Sequence, residues 1–411
     1  MRGYRVRPRL FAPRTGQLDS VRSRAVAFAV VAVIAALVAA YRLHHDRALW
    51  SADGPIYLRM ALEDRGLNPA AALAVTDRYV LAGTSEAKNP DSQGFYGPTP
   101  PEHYRTQAAL FVTRPLYPAV AALLLPRYGP FALKIVSAVA YALVTLVFFV
   151  LLLRFVTPPI AAIGGLALLF SPEIESIAAL PLTDMLALLF WIVALLALIA
   201  YVDRPAIATL AAFAVATALL AITRPAVYLP FFAAVGAFAA LPRASAARGA
   251  ALKAVAAAFV VALAFGAYTL LGHGPGLIEQ LRWEYAWQQT LHERFASHGL
   301  AVWWLLSVLV ASVQDVAIGI YKDNLLLLLA LAVLGAMRAR RSPFFGIAIG
   351  CIAGALVAVL VHPLDTIRTV TIPLTPIAIV FAAIALQALA RAADADGRIL
   401  AEGDSTLEAG R

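Results

Sequence analysis

Cysteine is almost absent: Cys351 stands alone, inside an apolar run. That excludes a disulfide within the chain and a zinc-thiolate cluster. Charge is scarce as well. Only 14% of the 411 residues are charged, against about 25% in a soluble globular chain. Lysine is rare, 4 residues against 29 arginines, and no N-x-S/T sequon occurs. With the abundant alanine, this suits a GC-rich bacterial genome, by association only. The seven histidines never fall into an H-x-x-x-H or H-E-x-x-H pattern, so no helical metal motif is present.

Apolar residues fill the space that charge leaves. They make up 62% of the chain, and the mean hydropathy is +0.79. Apolar runs of roughly 15 to 25 residues recur from end to end, the signature of a polytopic, all-α membrane protein. They are too long and continuous for barrel strands. The net charge of +9 does not point to nucleic acid. Seven arginines and one aspartate lie in the first 24 residues and supply +6 of it. A basic tail ahead of a first span is what the positive-inside rule produces. The first run, Ala25 to Ala40, reads as an uncleaved anchor rather than a signal peptide.

Ten apolar segments are clear: 25–40, 131–153, 159–170, 185–200, 206–222, 227–241, 254–271, 325–337, 344–361 and 370–389. Two more are ambiguous. Segment 108–126 holds Arg114, Pro115 and Pro118; segment 300–321 holds Gln314 and Asp315. Basic residues arbitrate. If both ambiguous segments lie at the outer interface, Arg154, Arg204, Arg243, Arg248, Lys253, Arg338, Arg340, Arg341 and Arg391 all face the cytoplasm. This predicts a basic cytoplasmic tail over 1–24, one transmembrane domain over 25–390 and a polar cytoplasmic tail over 391–411. Residues 44–130 form a long outer loop and 272–321 a second outer segment.

The outer face then collects the polar chemistry. In "WSADGPIYLRMALEDRG", Asp53 sits near an N-cap and Pro55 in the first turn of a short amphipathic helix that Gly66 ends. Ile56, Tyr57, Met60 and Ala61 share its apolar face, and it should lie flat on the membrane. One reading makes Asp53 only a cap, worth about 1 kcal/mol. The other makes it a working carboxylate, kept ionised by the helix N-terminus. "TRPLYP" sets Arg114 beside a hydrophobic hairpin with Tyr117 close by, and "ITRPAVYLP" repeats the device with Arg224. An arginine at that depth needs an anion, and a lipid phosphate is the natural one; snorkelling to headgroups is the alternative. "PLTDMLALLF" puts Asp184 at a helix start, where it or Thr183 could cap. "HPLDTIR" places His362, Asp365 and Arg368 together, with Asp365 and Arg368 spaced as an ion pair on one helix face. The "LRWEYAWQQTLHERF" stretch is interfacial by composition.

The order of these motifs resembles the polyprenyl-phosphate-sugar-dependent membrane glycosyltransferases of the GT-C fold, among them protein O-mannosyltransferases and the aminoarabinose transferase to lipid A. "SADGPIYLRMA" looks like that family's acidic motif after the first span, "TRPLYPAVAALL" like its cation-proline element, and "PLTDMLALLF" like its later acidic helix start. "HPLDTIRTVTIPLTP" resembles the closing element near the lipid phosphate. Two features depart from the family: Gly-Pro follows the first acid where a second acid is frequent, and no large C-terminal soluble domain is seen. The resemblance implies a GT-C-like bundle of about ten spans in a bacterial inner membrane, with its site facing the periplasm. It implies transfer of a sugar from a polyprenyl-phosphate carrier to a hydroxyl on a glycan, lipid or protein, with inversion. Asp53 would take the acceptor proton; Arg114, Arg224 and Arg368 would hold the donor phosphate; Tyr57, Tyr117, Asp184, His362 and Asp365 would line the cavity. No metal ligand is assigned and no cofactor is firmly implied; a divalent cation stays open, because Glu102, Glu173, Glu175 or Asp184 could supply more ligands. A lipid-linked glycan polymerase or ligase, a lipid or sugar flippase, and an inert headgroup-binding scaffold are the competing readings.

Overall fold

The structure is a computed structural model that describes residues 21–45, 53–84, 111–274, 325–361 and 370–408, with four isolated positions between 310 and 318. Every regular element among them is a helix. The order is α1 (Val21–His45), α2 (Gly54–Asp64), α3 (Pro69–Thr84), α4 (Leu116–Tyr128), α5 (Phe131–Leu152), α6 (Pro158–Leu169) and the single turn α7 (Pro172–Ile177). Next come α8 (Asp184–Asp203), α9 (Ile207–Thr223), α10 (Tyr228–Ala240) and α11 (Ala246–Tyr268), which runs into a π-helical turn at Thr269–His273. The last are α12 (Leu326–Ala339), α13 (Pro343–Val361) and α14 (Ile372–Glu408).

Among the described residues five helices are long and apolar enough to cross a membrane: α1, α5, α8, α11 and the first part of α14. Five shorter ones, α6, α9, α10, α12 and α13, are also apolar. Together they cover the ten expected segments; α1 runs past its segment at both ends, and two further helices differ more. Helix α11 starts at Ala246, ahead of the expected 254, because an alanine-rich turn stays helical even where Arg248 and Lys253 interrupt the apolar run. Helix α14 runs on to Glu408 through the expected polar tail, since helix formation does not require apolarity.

Ion pairs and hydrogen bonds between helix ends show which ends lie together. Arg42, near the end of α1, pairs with Glu175 of α7, and Arg224, just past α9, pairs with Asp184 at the start of α8. Trp191 Nε1 of α8 donates to the carbonyl of Pro373 at the start of α14, at 3.1 Å. The opposite end is tied separately. Arg154, past α5, lies 4.0 Å from Asp203 at the end of α8. The Thr157 N–H at the start of α6 donates to Gln387 Oε1 of α14 at 2.8 Å. Arg224 and Asp184 therefore sit at one end of the bundle, and Arg154 and Asp203 at the other.

Backbone contact holds part of the bundle together. Gly346, Gly350 and Gly354 recur every four residues along α13 and face α10. A Cβ at Gly350 would run into the Phe232 carbonyl, and one at Gly236 into that of Gly346. Small residues at this spacing let two helices approach closely where lipid offers no hydrophobic drive. Gly335 of α12 meets the Phe381 backbone of α14 in the same way.

The ambiguous segment around Pro118 forms α4, which packs on α2 and α5. Gly129 (φ +55°) turns the chain into α5. The Tyr117 hydroxyl donates to the Leu133 carbonyl at 2.8 Å and lies 3.0 Å from Ser137 Oγ, tying α4 to α5. The other ambiguous segment falls almost wholly outside the described residues.

Candidate functional site

The site is built where α2, the turn before α4, and the junctions of α8 and α9 meet. Helix α2 forms as expected: Pro55 lies in its first turn, Ile56, Tyr57, Leu58 and Ala61 are buried, and Gly66 (φ +91°) ends it. On its outward side Arg59 Nε reaches Glu63 Oε1 at 2.6 Å. Asp53 occupies the N-cap position, but its side chain makes no capping bond. Only its carbonyl serves the helix, accepting from the Ile56 and Tyr57 N–H groups at 3.1 and 3.2 Å. The capping reading therefore does not account for the Asp53 carboxylate. Its charge acts instead on Arg114 and on Tyr57.

Both arginine-proline pairs work through the proline. A residue before proline is pushed out of helical geometry, so each arginine falls at a corner. Arg224 is extended (φ −150°, ψ 133°) directly after α9, and Nη1 donates to Asp184 Oδ1. Arg114 closes a turn through its N–H to the Phe111 carbonyl at 2.8 Å, just ahead of Pro115 and α4.

The two arginines have different surroundings. Arg224 faces a carboxylate whose side chain is only 4% exposed. That carboxylate lies at a helix N-terminus, which favours negative charge. Arg114 rests 4.6 Å above the Phe111 ring and donates through Nη1 to the Tyr57 hydroxyl at 3.2 Å. Its Nε is buried and has no hydrogen-bond partner among the described residues. A buried donor left unsatisfied costs about 1–3 kcal/mol. Electrostatically, Asp53 supports the Arg114 cation and Arg224 opposes it.

Tyr57 joins these groups. It is fully buried, and its ring stands edge-on to Phe111 and Tyr117, with centroids 5.3 and 5.2 Å away. Its hydroxyl lies 3.4 Å from Thr183 Oγ1, at the N-cap of α8. Burial pushes the Tyr57 phenol above its ordinary pKa; Arg114 pulls it back in part, and Asp53 adds to the rise. The phenol therefore stays neutral at physiological pH.

Asp53, Tyr57, Arg114, Thr183, Asp184 and Arg224 thus form one charged centre. Tyr117 is adjacent, but its ring is enclosed and its hydroxyl holds α4 to α5. His362, Asp365, Arg368 and Glu102 lie outside the described residues. Glu175 pairs with Arg42, and Glu173 Oε2 accepts from Ser171 Oγ at 2.8 Å. Among the described residues no three His, Cys, Asp or Glu side chains group together to hold a metal ion. A cleft of about 30 Å3 opens beside Asp184 and Arg224, walled by Trp191, Tyr228, Ile372 and Pro373. Tyr228 and Trp191 were not expected as site residues. For Tyr228 the signal was its place four residues after Arg224; Trp191 gave none.

The fold and the site define a helical membrane protein with an acid-arginine-tyrosine centre at one end of its bundle. Comparison with protein-family models, curated proteins and solved structures finds no match.

Proposed function

We propose that the chain is an inverting glycosyltransferase of GT-C-like architecture, with about ten spans, in a bacterial inner membrane. Its donor is a sugar on a polyprenyl-phosphate carrier and its acceptor a hydroxyl on a glycan, lipid or protein. One observation carries the reading: a carboxylate not used as a cap, Asp53, and an incompletely satisfied cation, Arg114, share one end of the bundle. On this reading that end faces the periplasm, where the carrier phosphate lies at the headgroup level.

Asp53 accepts the proton of the attacking hydroxyl as the new glycosidic bond forms in line with the departing phosphate. Arg114 neutralises the charge gathering on that phosphate. Its remaining Nη–H groups suit phosphate oxygens. Arg224, held by Asp184, contributes field more than contact, and Arg368 completes the phosphate side. His362 and Asp365 would serve the sugar side. A phosphate leaving group needs no general acid. Grouping of the charges at helix ends, rather than at mid-span as in many transporters, favours transfer over translocation.

The test is release of polyprenyl phosphate by purified protein given the sugar-loaded carrier and an acceptor. Asp53→Asn is expected to abolish release while leaving the thermal unfolding midpoint unchanged. A fully active Asn variant would remove Asp53 from the mechanism. Movement of carrier between leaflets without release would identify a flippase.

A further inference from the structure

We infer that Tyr57 is a positioning residue that fixes the direction of the Arg114 guanidinium through a one-way hydrogen-bond chain ending on Thr183. The assignment refines the site read above as a phosphate site, but its geometry stands without that reading.

The direction follows from the donor inventory. Arginine only donates, so the Tyr57 oxygen accepts from Arg114 Nη1 at 3.2 Å. The phenol has one proton, and Arg114 cannot take it. Thr183 Oγ1, at 3.4 Å, is an acceptor in reach among the described residues. With the phenol proton on Thr183, the chain runs Arg114 N–H to Tyr57 O–H to Thr183. Its three members come from the turn before α4, from α2 and from the start of α8, which no single helix ties together. Edge-on packing against Phe111 and Tyr117 holds the Tyr57 ring, and Phe111 in turn supports the guanidinium from below. The Tyr57 bond fixes one edge of the guanidinium, so the unpartnered Nε keeps a set direction. Asp53 lies one helical turn before Tyr57, so the same tether fixes the acid relative to the cation.

The experiment is arginine modification by phenylglyoxal, read by peptide mass spectrometry on protein in detergent micelles. Losing one charge-assisted hydrogen bond in Tyr57→Phe is expected to raise the modification rate of Arg114 by roughly five-fold or more. The rate at Arg224 should not change. Thr183→Val, which leaves the ring untouched, should raise the Arg114 rate too, and Thr183→Ser should restore it. An unchanged Arg114 rate in both Tyr57→Phe and Thr183→Val overturns the assignment. So does an equal rise at both arginines, which would mark general loosening. A second arm adds polyprenyl phosphate to the wild-type protein. Protection of Arg114 supports the phosphate reading; lack of protection refutes that reading and leaves the first arm to decide the positioning role.

Discussion

Removing the charge of Asp184 should destabilise the protein far more than removing the whole ion pair. The Asp184 side chain is 4% exposed and that of Arg224 20%, so solvent screens the pair weakly. At contact distance, an effective dielectric of about 20 gives an attraction of roughly 5 kcal/mol, which desolvation of both ions largely offsets. Breaking such a pair from one side strands a charge and costs about 3–5 kcal/mol. Asn keeps one acceptor oxygen, so Asp184→Asn should fall near 3 kcal/mol. For a chain of this length that corresponds to a midpoint lowered by about 3–4 °C. Asp184→Leu with Arg224→Met, which leaves no stranded charge, should cost much less than the two single changes added together. The assay is thermal unfolding in one detergent at one scan rate, because membrane-protein midpoints depend on both. An unchanged midpoint in Asp184→Asn, or a double variant equal to the sum of its singles, would refute the view of Arg224 as a charge held for structure.

Gly350→Leu should force α10 and α13 apart and destabilise the fold by several kcal/mol, whereas Gly249→Ala, open around its Cβ on α11, should leave the thermal midpoint unchanged or raised. With Cys351 replaced by Ala, a cysteine at exposed position 65 should react with impermeant maleimide on intact cells. One at exposed position 204 should react only after permeabilisation; the reverse pattern would invert the topology. The Tyr57 phenol titrates above its ordinary 10.0 in the folded protein, so its stabilising share is intact below that value and is lost as pH rises through the folded pKa. The difference in thermal midpoint between wild type and Tyr57→Phe should therefore stay flat from pH 7 to about 9 and change only above about 10.

What was legible in the sequence follows from which signals are local. The limits of α2 could be read because Asp53, Pro55 and Gly66 mark them within a few residues. The segregation of Arg154 and Arg204 from Arg114 and Arg224 could be read because loop charge is a property of the linear chain. The Asp184–Arg224 pair could not, since its members lie 40 residues apart and each alone looks like a terminal polar residue. The N-cap place of Asp53 was also legible, but not that its carboxylate leaves the cap unused; that depends on Arg114, 61 positions later in the chain. The glycines in "GIAIGCIAG" gave no warning of the α10–α13 contact, because hydropathy ignores residue size. The reach of α14 to Glu408 was missed for the complementary reason: an apolar run marks a span, not the end of a helix.

A lipid phosphate must meet Arg114 at the end of the bundle that carries Asp53. An experimental structure with a short-chain polyprenyl phosphate bound would test this most directly. It should place phosphate oxygens about 3 Å from the Arg114 nitrogens, with the Asp53 carboxylate facing the same space and Arg224 still on Asp184. A phosphate bound at the Arg154–Asp203 end, or one that leaves Arg114 untouched, would contradict it.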